Sequence, residues 1–106
     1  GAATQVHHIF PEHAFPEISD YLENLILLTP QQHNTRAHPE NKTQTIDLGY
    51  QKECLLSKMD SITASVNKGD NLYAKERFIH VINTGYSLDL STNTSFEELK
   101  EIIQKR

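Results

Sequence analysis

The residues able to do chemistry gather at one end of this chain. Four of the six histidines lie between positions 7 and 33. They fall in the stretch VHHIFPEHAFPEISDYLENLILLTPQQHN, as the adjacent pair His7-His8, then His13, then His33, with Asn24 between. Neutral imidazoles are good ligands for divalent transition metals, and two of them with water and phosphate oxygens make an open, catalytic kind of site. A further histidine beside such a site, with an ordinary pKa of about 6.5, suits general-base work near neutral pH. Strict alternation along a strand sends His7 and His8 to opposite faces. Both can serve one site only where the strand bends or the substrate bridges them.

These side chains need elements to position them. Val6 to Phe10 is short, apolar-rich and ended by Pro11, which predicts a strand. Ile18, Tyr21, Leu22 and Leu25 fall at helical spacing, which predicts a short helical turn after Pro16. Asn24 to Leu28 reads as a second, buried strand. Thr29-Pro30-Gln31-Gln32 is the clearest local signal: Thr29 caps, Pro30 suits the first helical position, and Gln32 completes a capping box. His33 therefore sits about one turn into a helix, near its N-terminus. Pro39 should stop that helix near Ala37 or His38, so that residues 34–42 begin as helix and end as linker. A hairpin followed by a helix folded back on it would bring His7 or His8 against His33.

The second half reads as packing. Tyr50, Leu55, Leu56, Met59, Ile62 and Val66 approximate one helical face, stopped at Lys68-Gly69-Asp70. Leu72, Phe78, Ile79, Val81 and Ile82 predict a second helix ended by Gly85. Thr94 or Ser95 can cap a third, with Glu97 or Glu98 closing the box and Phe96, Leu99, Ile102 and Ile103 forming its stripe. Cys54 falls on an apolar helical face and reads as a core thiol. His13 reads as a surface loop residue, and His80 as a packing or capping residue.

His7-His8-Ile9, an asparagine before an apolar run, and His33-Asn34 nine residues after Asn24 form an ordered pattern. Over roughly residues 5–41 it resembles the HNH, or ββα-metal (His-Me finger), nucleases. The resemblance implies an α+β fold: a ββα-metal catalytic core over residues 1–41, with residues 42–106 as a helical extension packed on it in one compact domain. It implies that His7 and His33 ligate a divalent metal, that His8 is the general base, and that Asn24 braces the loop. Many members add a helix ligand four residues after the histidine, but Ala37 stands there. His38, one residue later, lies about 140° round an ideal helix from His33. Arg36 and His38 are therefore read as candidate phosphate contacts or supports for the ligands, with Lys42 a weaker phosphate contact. The zinc-stabilising cysteines of some members are absent.

The implied activity is metal-dependent hydrolysis of DNA phosphodiesters, leaving 5′-phosphate and 3′-hydroxyl ends. The metal expectation spans Mg, Mn, Zn and Ni. The expected partners are double-stranded DNA, with a homodimer or a DNA-recognition domain outside this stretch. A prokaryotic or phage enzyme such as a restriction endonuclease is the parent the resemblance suggests.

Composition bounds these readings. With 106 residues, 37% hydrophobic and 23% charged, the chain suits one small folded domain. A single cysteine excludes an intramolecular disulfide, and no apolar run approaches the roughly 20 residues of a membrane span. The expected setting is reducing and cytoplasmic. Residues 1–41 carry Arg36 against five acids, while residues 42–106 carry nine bases and nine acids, for the net charge of −4. An acidic first half grips a polyanion poorly by itself. Attraction must come from a metal, the second half or another region. Two rivals remain on these grounds: a non-catalytic HNH-like metal- or DNA-binding module, and a toxin-type nuclease. The acidic balance weighs against the toxin, and an intact His8 against the module.

Overall fold

Gln5 to His8 and the apolar run Leu25 to Leu28 suit extended backbone, and the two segments pair. The computed structural model describes residues 2, 4–33 and 47–106. In it β1 (Gln5–His8) and β2 (Leu25–Leu28) form a two-stranded antiparallel sheet. The register pairs Gln5 with Leu28, Val6 with Leu27, His7 with Ile26 and His8 with Leu25. β1 ends before the expected Phe10. The Ile9 N–H still reaches the Asn24 carbonyl at 2.8 Å, but the Phe10 amide donates to the Asn24 side chain, which breaks the ladder. The expected helical turn after Pro16 is a 3₁₀ turn, Pro16–Ile18, with proline in its first turn. A second 3₁₀ turn, Leu22–Asn24, follows, so Asn24 closes a turn instead of opening β2.

Among the described residues three helices follow in the second half, giving an α+β fold. α1 (Leu48–Lys68) starts at Asp47, whose carboxylate accepts the Tyr50 amide at 2.9 Å, and stops at Gly69 in the left-handed conformation (φ 69°). Glycine bears that angle at no steric cost. α2 (Lys75–Tyr86) runs through Gly85, the residue expected to end it, and terminates at Ser87 (φ 56°). Gly85 has a different reason to be glycine: a Cβ there would collide with the Phe10 ring. α3 (Phe96–Gln104) opens on a full capping box between Ser95 and Glu98. Its stripe buries Leu99 and Ile103 completely. Among the described residues, no helix is long and apolar enough to cross a membrane.

One core joins the halves. Ile9, Phe10, Ile18 and Leu28 belong to the same buried cluster as Leu55, Ile62, Phe78, Ile82, Leu99 and Ile103. Full burial of each such side chain is worth about 1.5–3 kcal/mol. Two polar ties cross the same boundary. Gln51 on α1 donates to the Ile9 carbonyl at 2.8 Å. Glu23, fully buried, accepts the Ala74 amide at 3.0 Å and the Arg77 Nε at 3.1 Å at the start of α2. Cys54 is buried on α1, as its position on the apolar face predicts. The expected helix end near Ala37 or His38, the linker at 34–42 and the boundary at 41/42 lie outside the described residues.

Candidate metal and hydrolytic site

The hairpin and its capped turn bring two histidines together. Residues 30–33 turn helically after Thr29. Thr29 Oγ1 accepts the Gln32 amide at 3.1 Å while Gln32 Oε1 accepts the Thr29 amide at 2.9 Å, the reciprocal box that the sequence predicts. This fixes His33 over β1. The His7 ring, 3% exposed, meets the His33 ring edge-on, with centroids 5.2 Å apart and planes at 65°. Gln5 lies two residues before His7 and so shares its strand face. Its Oε1 is 2.9 Å from His33 Nδ1. An amide oxygen only accepts, so Nδ1 carries the proton and the lone pair of neutral His33 sits on Nε2. Two imidazoles bonded at about 2.0–2.1 Å to one tetrahedral ion have centroids about 5 Å apart. The ring spacing matches that of such a ligand pair, and the same spacing also serves a plain edge-on ring contact.

His8 takes a different partner. β1 alternates, and the half-buried His8 ring sets Nε2 3.0 Å from the Ser19 carbonyl. A carbonyl also only accepts, so Nε2 is the protonated nitrogen and Nδ1 holds the basic lone pair. Asn24 organises the surrounding loop. It is fully buried; Oδ1 accepts the Phe10 amide at 2.8 Å, and Nδ2 donates to the carbonyls of Phe10 at 3.1 Å and Ile18 at 3.3 Å. Phe10 lies two residues after His8, and Ile18 immediately precedes Ser19. One side chain therefore holds both ends of the loop that fixes the His8 tautomer.

His7 and His33 are thus brought together, with His8 adjacent on the strand but turned to the loop that Asn24 braces. Arg36 and His38 lie outside the described residues. His13 is exposed in a turn, and His80 is exposed on α2 with its ring 5.4 Å from that of Tyr21. Among the described residues, no group of three or more His, Cys, Asp or Glu side chains is placed to hold a metal ion. Further coordination would therefore fall to water and phosphate oxygens or to residues outside that set.

Three supporting groups escaped the sequence reading. Gln5 could have been found from its two-residue spacing to His7. Gln51 is a polar residue four before Leu55 on the apolar face of α1, a placement that marks a buried hydrogen bond. The Ser19 carbonyl carries no side-chain signal at all. Comparison of the chain with protein-family models, with curated proteins and with solved structures found no match.

Proposed function

We propose that this chain is a metal-dependent endonuclease module that hydrolyses DNA phosphodiesters, built on a ββα-metal core. The observation that carries the reading is the pairing of the buried His7 ring with His33, next in sequence to a His8 whose basic nitrogen is set by the Ser19 carbonyl. Because β1 alternates, the substrate phosphate would bridge the two strand faces. His7 and His33 would hold a divalent cation, which supplies neutralisation of charge on the phosphate and the departing oxygen. His8 Nδ1 takes a proton from water as the water oxygen bonds to phosphorus and the bond to the 3′ oxygen breaks. The leaving oxygen gains its proton from solvent. The Ser19 carbonyl, accepting from Nε2, stabilises the imidazolium that results. Asn24 keeps that carbonyl and β1 in register, and Gln5 keeps the His33 ring turned. Cutting both strands would require two such modules or successive nicks.

The test is nicking of supercoiled plasmid by the full chain with Mg, Mn, Zn or Ni, alongside calorimetric titration with Mn. His8→Ala should lower cleavage by about 10²- to 10⁴-fold while Mn binding persists. His33→Ala should lose Mn binding itself. Wild-type protein that binds Mn yet nicks with no metal would be the non-catalytic module. Loss of Mn binding in His8→Ala but not in His7→Ala would reverse the two roles.

A further inference from the structure

A cleft of about 640 Å³ opens beside the braced loop, between Phe10 and Phe15 on one side and the ends of α1, α2 and α3 on the other. Its volume lies within the range of about 300–1,000 Å³ typical of ligand sites. The chain carries 14 acids against 10 bases, yet Lys52, Lys105 and Arg106 line this cleft, and among the described residues no Asp or Glu does. Backbone carbonyls orient two of these cations without neutralising them. Lys52 Nζ donates to Gln104 O at 3.1 Å, and Arg106 Nη2 donates to Tyr86 O at 3.0 Å. Each bond uses one donor of a group that has several.

The wall is aromatic. The Phe10 ring is edge-on to Phe15 at 5.6 Å and to Tyr86 at 5.2 Å, and the Arg106 guanidinium lies over the Tyr86 ring at 4.4 Å. The exposed part of the partly buried Phe15 and the outer plane of a stacked guanidinium are both surfaces on which an unpaired base can rest. Oriented cations interleaved with planar groups, with no Asp or Glu among the described lining residues, are the equipment of a nucleic-acid strand site. Asn24 holds the Phe10 backbone at both its amide and its carbonyl, and it also braces the loop under His8. The wall and the proposed base are therefore set by one side chain.

We propose that this cleft holds an unpaired nucleotide segment, its phosphates on Lys52, Lys105 and Arg106 and a base against Phe15. The inference deepens the phosphodiesterase reading by naming how the strand is held. It is tested without cleavage, so the two can fail separately. Binding of a fluorescent eight-nucleotide single strand to the full chain is followed by anisotropy in EDTA over a range of salt. Lys105→Glu/Arg106→Glu should weaken binding by roughly tenfold or more and reduce the salt slope by about 1.4 for two lost contacts. Phe15→Ala should weaken it by roughly fivefold or more. Lys68→Glu/Lys100→Glu makes the same change in charge at exposed residues outside the cleft, and should bind within about twofold of wild type. Absence of binding by the wild type, equal losses in the cleft and control pairs, or unchanged binding in the cleft variants would each overturn the proposal. So would displacement of the strand by equimolar inorganic phosphate. If the cleft variants lose binding while no metal supports nicking, the strand site stands and the hydrolytic reading falls.

Discussion

The first 33 residues and the three helices bury different chemistry. The first region buries His7, Glu23 and Asn24 beside four apolar side chains, Ile9, Phe10, Ile18 and Leu28. The helical region buries eleven apolar side chains with only Gln51, Ser65 and Thr94 for polar company, and Gln51 spends its amide on the first region. A helix satisfies its own backbone, so its packing needs only a stripe. A loop that crosses a core does not, and side chains must close its hydrogen bonds. The histidines therefore sit where hydrogen bonds, more than volume, set the geometry, which is what orientation-dependent chemistry needs.

Asn24→Ala tests that contrast most severely. It would leave three buried backbone groups of Phe10 and Ile18 without the Asn24 partner, at about 1–3 kcal/mol for each buried group left unsatisfied. The expected loss is about 3 kcal/mol or more in urea unfolding, with the proposed nicking activity expected to fall alongside. A loss below about 1 kcal/mol would mean the loop is held by packing, as the helices are. Next in size is Gly85→Ala, at the contact between the regions. Helix propensity alone favours alanine by about 1 kcal/mol. The new methyl meets the Phe10 ring, and overpacking costs about 1–3 kcal/mol. Net destabilisation, read as a lower urea midpoint, shows that Phe10 is clamped; net stabilisation would show that the ring gives way and that the regions are less tightly joined.

The smallest effect lies at a polar brace within the helical region. Asp70 accepts from Ser65 Oγ and the Leu72 amide, and these bonds hold its pKa below the ordinary carboxylate value, Ser65 being the main cause. A carboxylate with a depressed folded pKa stabilises above its unfolded value. That contribution is lost as the pH falls through the folded value. Asp70→Asn should therefore flatten the acid side of the stability profile slightly, below the ordinary aspartate value of 3.8, and leave its alkaline side unchanged. Exposure and solvent screening keep the change small.

Local rules carried much of this architecture, and failed where the two regions meet. The α1 stop at Gly69, the Thr29–Gln32 box and the stripe of α3 all follow from residues within a turn or two of each other. Of the alternatives at α3, Ser95 and Glu98 form the box because they alone stand at the cap and at the third helical position. Gly85 misled because glycine near a helix end ordinarily signals a stop, whereas here it admits a ring from 75 residues earlier in the chain. β1 ends two residues before Phe10 because Asn24 takes the Phe10 amide, and nothing in Ile9-Phe10 announces it. The histidine pair and Asn24 were legible as types and spacings. Gln5 and Gln51 carry a spacing signal but not the identity of their partners, and the Ser19 carbonyl is visible only once distant segments meet.

The tie from Glu23 to the start of α2 bears on the order in which the chain assembles. Ala74 offers no capping side chain of its own, and its amide finds its acceptor 51 residues upstream. A carboxylate at that end also complements the helix dipole. Low sequence separation favours early formation of α1, α3 and the body of α2, whereas the Ala74 amide gains its acceptor only when the second 3₁₀ turn docks. Hydrogen exchange should then show the Ala74 amide opening together with residues 22–24 and not with the centre of its own helix. That outcome would place the boundary of a cooperative unit at the start of α2 and not between the helices and the hairpin.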